Sequence, residues 1–404
     1  MELGHDPDEA AFRTEARAWL AEHVGPYRVD IDPTSPSVVF ADVDDAAHLT
    51  RGRAWQRELH VGGWAGLGWP VEYGGRALPV PLRAVWAEEL GAAGAPTPVN
   101  LLGEAIVGPT ILAHGDDGQK ARFLAPILTA DELWCQLFSE PGAGSDLAAV
   151  ATTATRDGDG WVVHGHKTWT SGAHYADFAI LLARTDWDVP KHEGCTYFVL
   201  DMRQPGVIVR PLRQMTGGTA YNEVILDGAH VADDNRLGPT GGGWAVAMTT
   251  LHHERLHLGL GLARAGGSVD RLLAELRTRG VADDPVIRQL AARLVIEDRC
   301  ARYLAWGLVS HLADGRIPGP EVALAKLASG RVSRRYDELV DAMRGAGAML
   351  HDEYTLRQLW TPATRIAGGT DEVLKNVIAE RILGLPAEPR TDKDVPFRDV
   401  PRGA

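Results

Sequence analysis

The stretch LWCQLFSEPGAGSDLAAV, residues 133–150, marks the change from a helical to a β pattern. Before it, segments such as residues 10–24 carry Ala, Leu, Glu and Arg at helical spacing between Pro/Gly turns. After it come short β-branched and aromatic runs separated by Gly, Asp and Asn. The pattern predicts an α+β protein with helices over 1–130, an antiparallel β domain over 131–240, helices over 241–385 and a mobile Pro-rich tail over 386–404.

Composition and charge argue against several classes of protein. The 404 residues carry a formal net charge of -13, which opposes non-specific attraction to nucleic acid or to an anionic membrane surface. No run of about 18 apolar residues predicts a membrane span, and the N-terminus lacks the basic-then-apolar order of a secretory signal. We therefore expect a cytoplasmic protein. The three cysteines are far apart and suit neither a disulfide framework nor a metal cluster.

Two segments suit a nucleotide-like cofactor. Gly142, Gly144 and Ser145 follow a strand-like run, so a sharp turn there can point N–H groups and a hydroxyl at an anion such as a pyrophosphate. A plain Gly/Ser turn is an equally good interpretation. About twenty residues later, Trp169 stands beside hydroxyl side chains, including Ser171, which suits stacking on a planar heteroaromatic ring. A buried strand tryptophan is the commoner alternative.

TTLHHERLHLG, residues 249–259, contains a His-Glu-x-x-His pattern made by His253, Glu254 and His257. This pattern is typical of zinc hydrolases, but the sequence marks no third ligand, so the pattern alone is weak. Glu254 also borders the apolar stripe of a predicted helix. It is either an unusual carboxylate at a buried face or a half-exposed glutamate paired with an arginine.

Five segments in this order resemble the acyl-CoA dehydrogenase family of flavoenzymes. The resemblance covers nearly the whole chain and implies that family's fold, with an N-terminal helical domain, a middle β-barrel-like domain and a C-terminal four-helix bundle. It also implies bound FAD, an acyl-CoA substrate, an electron-transferring flavoprotein as electron acceptor, and a homo-oligomer, usually a dimer-of-dimers tetramer. The segments are GWPVEYGG (68–75), SEPGAGSD (139–146), HKTWTSG (166–172), HHERL (252–256) and RIAGGTDEVLKNVIAERILGLP (365–386).

The resemblance also implies roles for individual residues. Trp169 would stack near the flavin and Ser171 would hydrogen-bond its reactive nitrogen. The other residues expected to contact FAD are Gln136, Phe138, Ser139, Gly144, Ser145, Arg279, Gly345 and Thr370. The residues expected along the acyl-CoA are Ser145, His252, Arg255 and Gly369.

The resemblance identifies the catalytic base through one substitution in the last of the five segments, residues 365–386, which is called the late motif below. Many family members carry a glutamate just before its Gly-Thr pair, where this chain has Gly368. Members resembling isovaleryl-CoA and long-chain dehydrogenases instead place the glutamate on the earlier helix, immediately before an arginine, as in Glu254 and Arg255. The resemblance therefore implies that Glu254 is the base, with Arg255 supporting it. The backbone N–H of Gly368 and a ribityl hydroxyl of FAD would polarise the thioester carbonyl.

The chain departs from the family pattern where FAD would reach a neighbouring subunit. Thr278 occupies the position of a family arginine, with arginines on both sides that include Arg279. Asp341 and Arg344 replace a frequent glutamine and glycine. One alternative is therefore a subunit of a heteromeric enzyme, such as a heterotetramer, without independent activity. Others are a flavin monooxygenase or oxidase of the same fold, a non-catalytic binding protein including DNA-associated relatives, and a zinc hydrolase.

Overall fold

A computed structural model describes residues 7–28, 45–264, 268–314, 319–390 and 392–400. The first part is helical. Local capping sets helix boundaries here: the Asp116 side chain accepts from Gln119 N at 2.8 Å, while the Gln119 side chain bonds back to Asp116 N. The helices are α1 (Pro7–His23), α2 (Ala46–Val61), α3 (Val80–Ala92), α4 (Gly108–His114) and α5 (Asp117–Thr129), with a π-helical turn at Gly103–Val107 before α4.

The middle of the chain forms one curled seven-stranded sheet in the order β1-β4-β2-β3-β7-β6, with β5 pairing β4. The prediction of an antiparallel domain is wrong in part, because β1 and β2 both run parallel to β4. The strands β2 and β3 lie between β1 and β4 along the chain, so no hairpin joins β1 to β4 and the two can run in the same direction. The strands are β1 (Trp134–Leu137), β2 (Thr153–Asp157), β3 (Gly160–Ser171), β4 (Phe178–Arg184), β5 (Cys195–Asp201), β6 (Val207–Leu212) and β7 (Tyr221–Ala232).

A second helical part follows the sheet. Asp284 caps one of its helices by accepting hydrogen bonds from Val286 N at 2.8 Å and Ile287 N at 3.1 Å. Packing of apolar side chains such as Leu272, Leu294 and Leu339 joins three of these helices in one core. The helices are α6 (Gly243–Arg264), α7 (Ser268–Thr278), α8 (Pro285–Ala313), α9 (Val322–Arg344), α10 (Glu353–Thr364) and α11 (Asp371–Arg381).

The prediction of a mobile tail is wrong for residues 392–400. Phe397 is 2% exposed, and the guanidinium carbon of Arg184 lies 3.6 Å from the centre of its ring. Its backbone N–H donates to the carbonyl of Val189 at 2.9 Å. Burial of one aromatic side chain fixes a segment that is otherwise rich in proline and charge.

The described residues pack into two compact units, each built from stretches that are distant in sequence. One combines the described parts of residues 1–39, 76–97 and 255–387. The other combines those of 40–75, 98–254 and 388–404, and contains the sheet. None of the helices in the described ranges is long and apolar enough to cross a membrane.

Candidate active site

The end of β1 and a bulge in β3 form one connected region in the unit that contains the sheet. The backbone N–H of Thr168 donates to the carbonyl of Ser139 at 2.9 Å, which ties the strand end to the bulge. The ladder between β3 and β7 shifts register between Lys167 and Thr170. A bulge of this kind redirects the side chains that follow it. The predicted cofactor residues around Ser139 and Trp169 are thus brought together.

A buried ion pair between Lys167 and Glu140 stabilises this region. The Lys167 ammonium group donates to Glu140 Oε1 at 2.8 Å, to the carbonyl of Phe138 at 3.0 Å and to that of Leu182 at 2.8 Å. Glu140 also accepts from the backbone N–H groups of Ala151 at 2.7 Å and Thr152 at 3.0 Å. All these polar atoms are satisfied, so the pair fixes the strand end, the bulge and the following loop together.

Burial shifts the pKa values of the two partners in opposite directions, but the net shift is downward for both. Burial raises the pKa of Glu140, but the adjacent Lys167 and the hydrogen bonds to the carboxylate outweigh it and hold that pKa below its usual value. Burial lowers the pKa of Lys167, and Glu140 only partly opposes this effect. Sequence analysis did not single out either residue.

Trp169 is 61% exposed, which excludes the alternative of a buried strand tryptophan. Its backbone has φ 59°, a left-handed conformation that bulky residues rarely adopt. Its ring lies 6.0 Å from that of Tyr221, whose backbone pairs with Ser171 in the ladder. Strained residues of this kind concentrate at functional sites. The strand therefore presents an exposed aromatic ring two residues before Ser171.

The loop after Ser139 is open on its outer side. Glu140 and Ala143 form an isolated bridge across the turn, and a Cβ added at Gly142 or Gly144 would meet no atom within 4 Å. Ser145 is exposed at the end of this turn. The turn therefore has open space beside both glycines and an exposed serine at its end, and its role in binding a pyrophosphate stays a prediction.

Lys191 links this loop to the tail. Its ammonium group lies 2.7 Å from Asp146 Oδ2, next to Ser145, and also contacts the Asp392 carboxylate. Burial lowers the pKa of Lys191, but the two carboxylates outweigh burial and raise it overall. The tail therefore helps to fix the loop, a contribution that the sequence did not reveal.

Helix α6 carries His252, His253 and Glu254, all partly buried. One turn before Glu254, the Thr250 hydroxyl lies 2.8 Å from that of Tyr197 and 3.2 Å from that of Thr110. The helix is therefore anchored to β5 and to α4. Within the described ranges, no three His, Cys, Asp or Glu side chains form a group that could hold a metal ion.

The late motif lies in the other unit. Gly368 and Gly369 have φ values of 66° and 98°, which glycine adopts without strain. Lys326, on α9, donates to the carbonyl of Gly369 at 2.7 Å. Thr370 caps α11 by accepting from Val373 N at 3.2 Å. These bonds hold the glycine turn at both sides.

An ion pair within the motif adds to this constraint. Arg365 donates to Asp371 at 2.7 Å, and Lys326 lies 3.6 Å from the same carboxylate. Burial lowers the pKa of Lys326, while Asp371 opposes that shift. Lys326 is a further residue of the region that sequence analysis missed, because a lysine on a helix carries no distinguishing pattern.

The residues assigned to the inter-subunit part of the cofactor site make contacts within the chain. Arg279, which directly follows α7, pairs with Glu275 at 2.7 Å. Arg344 pairs with Asp352, and Asp341 accepts from Gln358 at 2.6 Å. At Gly345, with φ 51°, a Cβ would meet no atom within 4 Å, so its backbone is accessible. Arg255 begins the stretch of α6 assigned to this unit.

Comparisons with known proteins give consistent matches along the chain. Family models for the N-terminal, middle and C-terminal domains of acyl-CoA dehydrogenase match residues 6–131, 135–228 and 241–383. The chain is 39% identical over 393 residues to acyl-CoA dehydrogenase IpdE1 of Mycobacterium tuberculosis, covering 94% of this chain and 99% of the relative. It is 30% identical to glutaryl-CoA dehydrogenase of Desulfococcus multivorans, covering 86% and 92%.

Solved structures give the same result. A structure titled Tcur3481-Tcur3483 steroid ACAD has a TM-score of 0.85 at 27% identity, covering 96% of this chain and all of that one. The ChsE4-ChsE5 complex from Mycobacterium tuberculosis has a TM-score of 0.79 at 28% identity, covering 96% and 100%.

Proposed function

The chain belongs to the acyl-CoA dehydrogenase family, and on that premise we propose that Glu254 is the base that removes the α proton of its acyl-CoA thioester. Enzymes of this family are FAD-dependent oxidoreductases acting on the CH–CH bond of acyl-CoA. The observation that carries the proposal is that the sequence has both a glutamate at position 254, on α6, and a glycine at position 368. Glycine has no side chain that could accept a proton, so the base must come from elsewhere.

The residues around Trp169 suit the flavin. The exposed indole offers a stacking face, the Ser171 hydroxyl offers a hydrogen bond nearby, and the open turn at Gly142 and Gly144 offers backbone groups for a pyrophosphate. Gln136, Phe138, Ser139 and Ser145 would contribute along β1 and its loop.

Individual residues of the chain have distinct roles in the proposed reaction. The backbone N–H of Gly368 donates to the thioester carbonyl, which makes the α proton more acidic. A Glu254 carboxylate oxygen accepts that proton. Arg255, His252, Ser145 and Gly369 bind and orient the acyl-CoA. When bound, FAD supplies the acceptor for the hydride that leaves the β carbon, so the product is a trans-2-enoyl-CoA.

We further propose a bulky acyl group as substrate and an electron-transferring flavoprotein as electron acceptor. A glycine at position 368 leaves room that a glutamate side chain would fill. The similarity to a solved structure titled as a steroid acyl-CoA dehydrogenase supports a ring-bearing acyl group. The electron acceptor rests on the family resemblance.

An anaerobic spectral titration tests the base. Purified protein is mixed with a panel of acyl-CoA thioesters beside Glu254→Gln, with Glu388→Gln as a matched control because Glu388 is exposed. We expect bleaching of the flavin with one substrate class in the native protein and in the control, and an oxidised flavin in Glu254→Gln. Equal bleaching in all three proteins would show that another group is the base. A chain that bleaches only with an added partner subunit would point to a heteromeric enzyme.

A further inference from the structure

Glu104 occupies the π-helical turn Gly103–Val107 that precedes α4. Its Oε1 accepts from Gly66 N at 2.8 Å, and its carbonyl accepts from the Trp69 indole at 3.2 Å. A Cβ at Gly108 would lie 2.0 Å from the Trp69 ring, so the indole packs directly against the start of α4. Single π turns are rare and frequently occur at functional sites.

The second carboxyl oxygen of Glu104, Oε2, is buried and makes no hydrogen bond within the part of the chain that the structure describes. Burial raises the pKa of Glu104 to about 7, and the bond from Gly66 N only partly opposes this. The buried carboxylate of Glu140, by contrast, has both oxygens bonded. A buried polar atom without a partner costs free energy, so Glu104 calls for a function outside the packing.

The turn lies next to the helix of the proposed base. Thr110, six residues after Glu104, bonds Thr250 on α6, and His114 Nε2 lies 2.8 Å from the Thr249 hydroxyl. Glu254 is one turn beyond Thr250, and all these residues belong to the same compact unit. The apolar residues next to Glu104 in sequence, which are Leu101, Leu102 and Ala105, are partly exposed and not part of a closed core.

We propose that Glu104 binds a hydroxyl group on the distal part of the acyl chain, and so makes the enzyme selective for hydroxylated acyl-CoA thioesters. The proposal rests on the acyl-CoA dehydrogenase function assigned above. A hydroxyl suits this site better than a cation, because desolvating a full charge beside apolar side chains is far more costly. A hydroxyl can donate to Oε2 when the acid is ionised and accept from it when the acid is protonated. Leu101 and Leu102 would contact the carbon skeleton around it.

The test compares two thioesters that differ in one oxygen: 3-(4-hydroxycyclohexyl)propanoyl-CoA and 3-cyclohexylpropanoyl-CoA. Their dissociation constants are measured by calorimetry on the flavin-loaded Glu254→Gln protein, so that binding is separated from turnover. The added changes are Glu104→Leu, Glu104→Gln and, as a control, Glu72→Leu at an exposed position. Glutamine keeps an acceptor for Gly66 N and a polar group for the ligand, so it separates lost recognition from lost folding.

We expect the Glu254→Gln protein to prefer the hydroxylated thioester by about ten-fold, the effect of one hydrogen bond to a buried group. Glu104→Leu should abolish that preference by weakening binding of the hydroxylated ligand alone. Glu104→Gln should keep part of it and Glu72→Leu all of it. Equal binding of both thioesters before and after Glu104→Leu, or binding of neither, overturns the proposal. Bleaching of the flavin by either thioester in the native protein tests the dehydrogenase function separately.

Discussion

Replacing Lys167 with methionine should destabilise the sheet-containing unit by about 3–5 kcal/mol, the usual cost of removing one partner from a buried ion pair. Methionine keeps most of the side-chain length but removes the donor to Glu140 and to the Phe138 and Leu182 carbonyls. Glu140 then stays buried with only the N–H groups of Ala151 and Thr152. The two carbonyls lose a charged donor as well, so the upper part of the range is expected.

Urea unfolding followed by tryptophan emission, with flavin release recorded in parallel, measures this effect. Glu140→Gln and the double variant complete a thermodynamic cycle, in which the double variant should lose less than the sum of the single variants by at least about 1 kcal/mol. Lys375→Met is the control, because Lys375 is 62% exposed and 4.0 Å from Glu372. Its loss should stay within about 1 kcal/mol.

The reasoning predicts that flavin is released at a lower urea concentration than in the native protein, because the pair joins β1 to the bulge at Trp169. A loss below about 1 kcal/mol for Lys167→Met, together with unchanged flavin retention, would refute it. Strict additivity in the cycle would show that the two side chains act independently.

Three further changes test other parts of the structure. Glu104→Gln should gain stability over the native protein as pH rises from 4.5 to 7, by about 3 kcal/mol in urea titrations, because a raised carboxyl pKa stabilises the fold only while the acid is protonated. Phe397→Ala should cost the tail contact about 3 kcal/mol and expose Arg398 to trypsin, as read by mass spectrometry. Lys326→Met should lower kcat/KM about ten-fold with unchanged flavin content, because the Gly369 carbonyl loses its charged donor.

Each of these has a clear contrary result. A stability difference between Glu104→Gln and native protein that is independent of pH would mean that Glu104 titrates normally. Unaltered tryptic cleavage in Phe397→Ala would mean that the tail is held by its other contacts, such as Lys191 with Asp392. Unchanged kcat/KM in Lys326→Met would mean that the glycine turn keeps its geometry through the Arg365–Asp371 pair.

The order of helical and β regions could be predicted because periodicity is a local property of the sequence. The direction in which the Trp169 side chain points could not be predicted. Regular alternation from Trp161 and Val163, which are buried, would direct Lys167 and then Trp169 inward. The bulge after Lys167 adds one residue, so Thr170 is buried and Trp169 points out. No residue pattern in HKTWTSG marks that insertion.

Other features were not predicted from the sequence, and several of them depend on residues that are far apart in the chain. Lys167 and Glu140 are 27 residues apart, and Lys191 and Asp392 are 201 apart, so neither pair could be found by local spacing. The tail looked mobile because one buried phenylalanine among prolines and charges carries little weight in a composition. The π turn at Glu104 was missed because its residues have ordinary helical spacing. The proposed base was accessible to sequence reasoning because it depends on two motifs, each readable by itself.

The exposure of Trp169 gives the protein an internal optical reporter. Of the twelve tryptophans, all within the described part of the chain, Trp169 alone is classed as exposed. Its emission should lie at longer wavelength than that of the enclosed indoles and should respond most strongly to acrylamide. Protection of that red component on adding flavin to stripped protein would report occupancy of the stacking face directly, without a label or a turnover assay.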